Sequence, residues 1–265
     1  LLRPIGVQAL DELLEGGRRR HACVGCRHGH QGRVQSGLVY GRPHAGRLSG
    51  PLSSCPRDTD LANAPFLILE AGKPVPELRR HGDFPHWIRV AAGLHRDEAV
   101  VVDLRAGEPL PTTDAFAGVI VSGSGAMVSE REPWSEAAAK WLGSAARAGM
   151  PVFGICYGHQ LLAHGLGGEV GDNPRGREMG TVEVELLPAA SDDLLLQPLP
   201  ARFSAQLTHQ QTVLRLPEDA VVLARSAGDE FQVFRWGTSA WGVQFHPEFS
   251  ATHMRGYIRA RKVPL

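Results

Sequence analysis

The sequence predicts an α/β protein built on a mostly parallel sheet with helices on both faces. Three observations point there. Apolar runs of strand length alternate with segments of helical period between residue 65 and about residue 165. The runs are unbroken rather than alternating, as in strands buried on both faces. Pro, Gly and Asp punctuate the switches of period, which is the strand–helix alternation of a parallel sheet.

Taken in order, PFLILE (65–70) reads as the first buried strand. FPHWIRVAAGL (84–94) has helical spacing, and the β-branched EAVVVDLR (98–105) is the next strand. FAGVIVSGSG (116–125) is a strand running into a Gly/Ser loop. WSEAAAKWLGSAARAG (134–149) places Trp134, Ala137, Ala138, Trp141, Leu142 and Ala145 on one helical stripe. Gly149 and Pro151 stop that helix. PVFGI (151–155) is another buried strand, and YGHQLLAHGLGG opens a helix directly behind Cys156. The second half turns more antiparallel, with strands at 181–187, 220–226, 230–236 and 239–245 between Gly, Asp and Pro turns. GLGGEVG (165–171) superficially matches a dinucleotide fingerprint, but it follows a helix rather than a strand and predicts a turn.

Residues 1–64 read differently from 65–265. After one short amphipathic stretch they are rich in Arg, Gly, Ser and His without an apolar period, which predicts a disordered extension ahead of the domain. HACVGCRHGH (21–30) holds half of a zinc pattern, but the second Cys pair is missing, so no metal is expected. The 265 residues carry 28 basic and 28 acidic side chains, a balance that offers no field for nucleic acid or an acidic membrane surface. No apolar run reaches the roughly 18 to 20 residues of a membrane span. Three of the four cysteines fall in the first 55 residues, so the chain is no disulfide-stapled fold and a cytoplasmic setting is expected. A P-loop pattern is absent, and no cofactor is expected.

The chemistry concentrates at Gly154-Ile155-Cys156-Tyr157-Gly158. A strand ending in G-x-nucleophile-x-G and running into a helix is a nucleophile elbow. The helix N-terminus behind it favours a thiolate. The pentapeptide alone also suits a buried structural thiol. A nucleophile needs a base and the base needs an orienting group. GVQFHPEFS (242–250) offers His246 and Glu248 around Pro247, where an extended chain puts both side chains on one face. His159 and His164 are weaker candidates because they sit on the helix behind Cys156. The Ser122–Gly125 loop leaves backbone N–H groups open for an oxyanion, with the Tyr157 N–H as a second donor.

GICYGHQLLA, the SGSG loop and GVQFHPEFS resemble, in that order, the signature blocks of class I glutamine amidotransferase domains. THQQTV (208–213) is similar to a fourth block. The resemblance covers about residues 65–258 and is nearest to free-standing members similar to the amidotransferase domain of GMP synthase. Plant γ-glutamyl peptidases share much of the pattern. It implies a flavodoxin-like fold with Cys156 as nucleophile, His246 as base and then acid, and Glu248 as orienting carboxylate. It also implies oxyanion N–H groups from Gly123 and Tyr157, and glutamine contacts from Gln160 and His209. The chain departs from the pattern at Gly125, where free-standing members commonly have Pro, and in a C-terminal helix expected to be short. The expected substrate is glutamine or a γ-glutamyl small molecule, and the expected partner is a separate synthetase subunit that takes the ammonia. Two other readings stay open: cleavage of γ-glutamyl peptides or conjugates by the same triad, and an inactive regulatory or interaction subunit.

Overall fold

A computed structural model describes residues 64–261. The expectations for residues 1–63, including the extension and the half zinc pattern, lie outside the described residues. The elements run β1 (Phe66–Glu70), α1 (Phe84–Ala92), β2 (Ala99–Asp103), β3 (Gly118–Val121), α2 (Pro133–Arg147), β4 (Val152–Ile155) and α3 (Tyr157–Gly165). They continue with β5 (Glu169–Asp172), β6 (Glu178–Leu186), β7 (Arg202–His209), β8 (Gln211–Arg215), β9 (Ala220–Arg225), β10 (Val233–Trp236), β11 (Ala240–Val243) and α4 (Ala251–Ala260).

Nine strands form one sheet in the order β2-β1-β3-β4-β11-β10-β9-β6-β7. The five strands from β2 to β11 are mutually parallel, and β10, β9, β6 and β7 extend the sheet antiparallel. Alternation along β1 sorts the core. Phe66 and Ile68 pack with Ile88 and Ala91 of α1 on one face, while Leu67 and Leu69 pack with Leu142 of α2 and Leu161 of α3 on the other. Helices therefore cover both faces of the parallel part, and β1, β3 and β4 are buried end to end.

Pro85 in the first turn and Asp83, whose carboxylate accepts from the His86 N–H, start α1; Gly93 in the left-handed region ends it. Ser250 caps α4 by accepting from the His253 N–H, and the helix runs ten residues. It packs Met254 and Tyr257 against Leu78, Phe84, Trp87 and Phe249.

Three strands differ from the sequence expectation. Glu169–Asp172, read as part of a turn, is β5, which pairs antiparallel with β8 in a separate two-stranded ribbon. β7 and β8 are also strands, and they meet at the THQQ corner. Each of these strands is short, exposed on one side or interrupted by polar residues, so none carries an apolar run.

Candidate active site

Cys156 stands at the carboxyl end of β4, between β3 and β11, whose carboxyl ends deliver the other parts of the site. That edge is where open parallel sheets collect ligands. The turn is tight: Cys156 has φ 51° and ψ −96°, a strained backbone that costs about 1–3 kcal/mol. Its N–H donates to the Val243 carbonyl (2.8 Å), and its carbonyl accepts from the Gln160 N–H (3.2 Å). The flanking glycines are required by contact. A Cβ on Gly154 would sit 2.4 Å from the Gly158 carbonyl oxygen, and one on Gly158 would sit 2.6 Å from that of Val121.

His246 follows β11 and reaches back to the thiol. Its charge acts on Cys156, and its Nδ1 lies 2.8 Å from Glu248 Oε1, with both side chains almost fully buried. Facing a carboxylate, Nδ1 carries the proton, which directs Nε2 at the thiol. The local backbone is not the extended segment expected. The Phe249 N–H donates to the His246 carbonyl (3.2 Å), closing a turn around Pro247 and Glu248. That turn, rather than an extended i, i+2 face, brings the two side chains together. Phe249 then stacks on the imidazole with ring centroids 4.0 Å apart.

The charges of the three groups support one another. Burial opposes ionisation of Cys156, but the adjacent His246 cation, the hydrogen bond to it and the charge of His209 together hold the thiol below its ordinary range. Burial would equally strip His246 of its proton, yet the Glu248 carboxylate and the Cys156 thiolate push its pKa up to about 10. Both shifts favour a thiolate–imidazolium pair over a neutral thiol and imidazole. His159 has no such partner. It is fully buried against Phe234, and desolvation drives its pKa down to about 3, so it stays neutral. His164 turns to Glu136 (2.9 Å).

The Ser122–Gly125 loop leaves β3 beside the thiol, as the strand order requires. Gly123 is pressed against His246: a Cβ there would lie 2.8 Å from its Cε1. A Cβ on Gly125, by contrast, would meet nothing within 4 Å. The Tyr157 hydroxyl faces away, bonded to Ser135 Oγ (2.6 Å) with its ring stacked on Trp134. Burial pushes that phenol up to about 12. Tyr157 thus turns its hydroxyl away from the thiol, and its N–H belongs to the first turn of α3, where N–H groups have no intrahelical partner.

A cleft of about 370 Å³ opens onto Cys156 and is lined by Tyr157, Gln160, His209, Arg177 and Arg261 among others. Gln160 Nε2 gives both protons away, to the Gln211 carbonyl (2.7 Å) and Gln244 Oε1 (2.9 Å), which leaves its amide oxygen. His209 Nδ1 meets the Gln211 carbonyl (2.9 Å) and Nε2 meets Glu178 Oε2 (2.9 Å). Burial works against a charge on His209, but the Glu178 hydrogen bond and the Cys156 thiolate hold its pKa above normal. Glu178, His209 and Asp229 have ligand atoms within 4.8 Å of one another, as a metal site would. These atoms are already engaged: Glu178 also accepts from Gln232 and Ser226, and Asp229 accepts from Thr212 and the Phe231 N–H. The group is a closed hydrogen-bond network around His209.

The profile of the class I glutamine amidotransferase family matches residues 91–263. The chain belongs to this family. A glutamine-hydrolysing GMP synthase of Aeropyrum pernix is 45% identical over 147 residues, covering 55% of this chain and 26% of that one. The chain thus spans about a quarter of that relative's length. A glutamine-hydrolysing GMP synthase subunit of Methanopyrus kandleri is 31% identical over 177 residues, or 65% of this chain and 87% of its own. A γ-glutamyl-L-1-hydroxyisopropylamide hydrolase of Pseudomonas sp is 30% identical over 152 residues, covering 55% of this chain and 51% of its own. Among solved structures, a glutamine amidotransferase of Thermotoga maritima superposes with a TM-score of 0.61 at 24% identity, covering 75% of this chain and 83% of that one. That likeness shows the amidotransferase fold. No helix among the described residues is long and apolar enough to cross a membrane.

Of the residues singled out in the sequence, Cys156, Glu248 and Gly123 gather around His246. Tyr157, Gln160 and His209 line the cleft beside the thiol. Sequence reasoning missed Arg177, Glu178 and Arg261. They come from two distant stretches, and no local motif marks them.

Proposed function

We propose that the chain hydrolyses the side-chain amide of glutamine through a Cys156–His246–Glu248 triad, with residues 65–265 as the working unit. The thiolate of Cys156 attacks the γ-carboxamide carbon, and N–H groups of Tyr157 and Gly123 receive the developing oxyanion. Imidazolium His246 gives its proton to the departing nitrogen, which leaves as ammonia, and a γ-glutamyl thioester stays behind. Neutral His246 then takes a proton from water; the hydroxide attacks the thioester and releases glutamate and the thiolate. Glu248 keeps the imidazole in the tautomer that both steps need. Gln160 and His209 flank the glutamyl group. The observation that carries this reading is the strained Cys156 beside a His246 whose Nδ1 is bound to a buried carboxylate. The relationship to a separate GMP synthase subunit supports transfer of the ammonia to a synthetase on another chain.

A second reading keeps the triad and replaces ammonia with a larger amine. The relationship to a γ-glutamyl amide hydrolase favours it. One assay separates the two: release of ammonia from glutamine and of amine from γ-glutamylethylamide, by wild type and Cys156→Ala. Glutamine turnover lost in Cys156→Ala supports the first reading. Turnover of the ethylamide alone replaces it with the second, and equal rates for both proteins exclude the triad.

A further inference from the structure

Among the described residues, the cleft over Cys156 is lined by two arginines and a histidine and by no Asp or Glu. Arg177 enters it from the segment just before β6, and Arg261 from the residue after α4. Arg261 is held by neutral groups. Its Nη1 donates to the Thr208 carbonyl (3.4 Å) and Oγ1 (3.0 Å), and its guanidinium lies 5.2 Å from the centre of the Tyr257 ring. Arg177 donates through Nη2 to Gln210 Oε1 (3.3 Å), while its Nε is buried without a hydrogen-bond partner among the described residues.

Neither guanidinium forms an ion pair among the described residues, unlike those of several other arginines. Arg175, Arg202, Arg225 and Arg235 each hold a carboxylate within 3.3 Å. Two partly desolvated cations share one wall with Cys156 as the acidic group that acts on Arg261 and with no carboxylate paired to either, an arrangement that favours an entering anion. Burial, and then the charge of Arg177, lowers the Arg261 pKa, which agrees with such a pair. A guanidinium presents a planar set of donors suited to a carboxylate, and an unused buried Nε is one of the two donors of a side-on fork.

We infer that Arg177 and Arg261 form a carboxylate-binding pair on the wall of the Cys156 cleft, selecting γ-glutamyl amides that bear a free carboxylate. The inference rests on the amidohydrolase reading above for the identity of the γ-glutamyl group. Two carboxylates have the right chemistry: the α-carboxylate of the glutamyl moiety, and one on the departing amine of a γ-glutamyl dipeptide.

The test uses Cys156→Ala protein, so that binding is read without turnover. Calorimetry compares glutamine with its α-carboxamide analogue, and γ-glutamylglycine with γ-glutamylethylamide. The carboxylate form of at least one pair should bind about 10- to 100-fold more tightly. That preference should fall to within about 3-fold when Arg177→Gln and Arg261→Gln are added. Arg177→Lys and Arg261→Lys, which keep charge and stem but lose the fork, should retain part of it. A preference in the first pair assigns the α-carboxylate, and one in the second assigns the departing amine. Loss of affinity equal for carboxylate and carboxamide forms, an unchanged preference, or no binding of any of the four overturns the pair. Wild-type turnover of the same compounds is scored separately. Binding selectivity without turnover would sink the amidohydrolase reading and leave the carboxylate pair standing.

Discussion

At the scale of single residues, the site is an ion pair held by a third charge. Cys156 ionises below the ordinary thiol range, and His246 keeps its proton up to about pH 10. Activity should therefore rise with pH as Cys156 loses its proton and fall as His246 loses its own near pH 10. Glu248→Gln keeps the shape but removes the charge that sustains the imidazolium. The alkaline limb of kcat/KM should then move to lower pH by at least about one unit, and kcat should fall about 10²- to 10⁴-fold. A pH–rate profile checks both, and an unmoved alkaline limb would mean that Glu248 is not the partner of the base. The proposed triad was legible in sequence because Cys156 sits in a glycine-flanked elbow and because His246 and Glu248 flank one proline. The turn that joins them was not, since an extended chain and a β-turn both place residues 246 and 248 together. Arg177 and Arg261 were not legible at all. They carry no local motif and meet only because the start of β6 and the end of α4 lie at the same edge.

At the scale of elements, the elbow depends on close backbone approach. Gly154→Ala forces a Cβ to 2.4 Å from the Gly158 carbonyl oxygen, whereas Gly125→Ala places one in open space. The first substitution should destabilise the fold by at least about 1–3 kcal/mol. The second should stay within about 0.5 kcal/mol. Denaturant unfolding of the two variants distinguishes them, and equal stability would show that the β4–α3 junction relaxes freely. It also bears on the departure from the family at Gly125, a position where the surroundings do not demand glycine. The parallel strands β1 to β4 could be read from short unbroken apolar runs. β5, β7 and β8 could not, because their polar faces, glycine and short length remove any period.

At the scale of the whole molecule, the strand order brings the carboxyl ends of β3, β4 and β11 to one edge, although about 120 residues separate the first from the last. The motifs announced the chemistry, but only the crossover from β4 to β11 makes them neighbours. The same packing buries His159 of α3 against Phe234 of β10 as a neutral ring with a pKa of about 3. Its folded pKa lies below the unfolded value of about 6.5, so its contribution to stability is complete above about pH 6.5 and declines as pH falls toward about 3. Between about pH 7 and about pH 4 the loss amounts to about 3 kcal/mol. His159→Gln, which takes no proton, should flatten that limb in denaturant unfolding at a series of pH values, and an unchanged slope would assign acid sensitivity elsewhere. The central claim is that Cys156 is the nucleophile of a γ-glutamyl site. Intact-protein and peptide mass spectrometry after incubation with a glutamine-derived electrophile tests it most directly. A single adduct confined to Cys156, suppressed by excess glutamine, is the predicted result; no adduct, or labelling indifferent to glutamine, would contradict it.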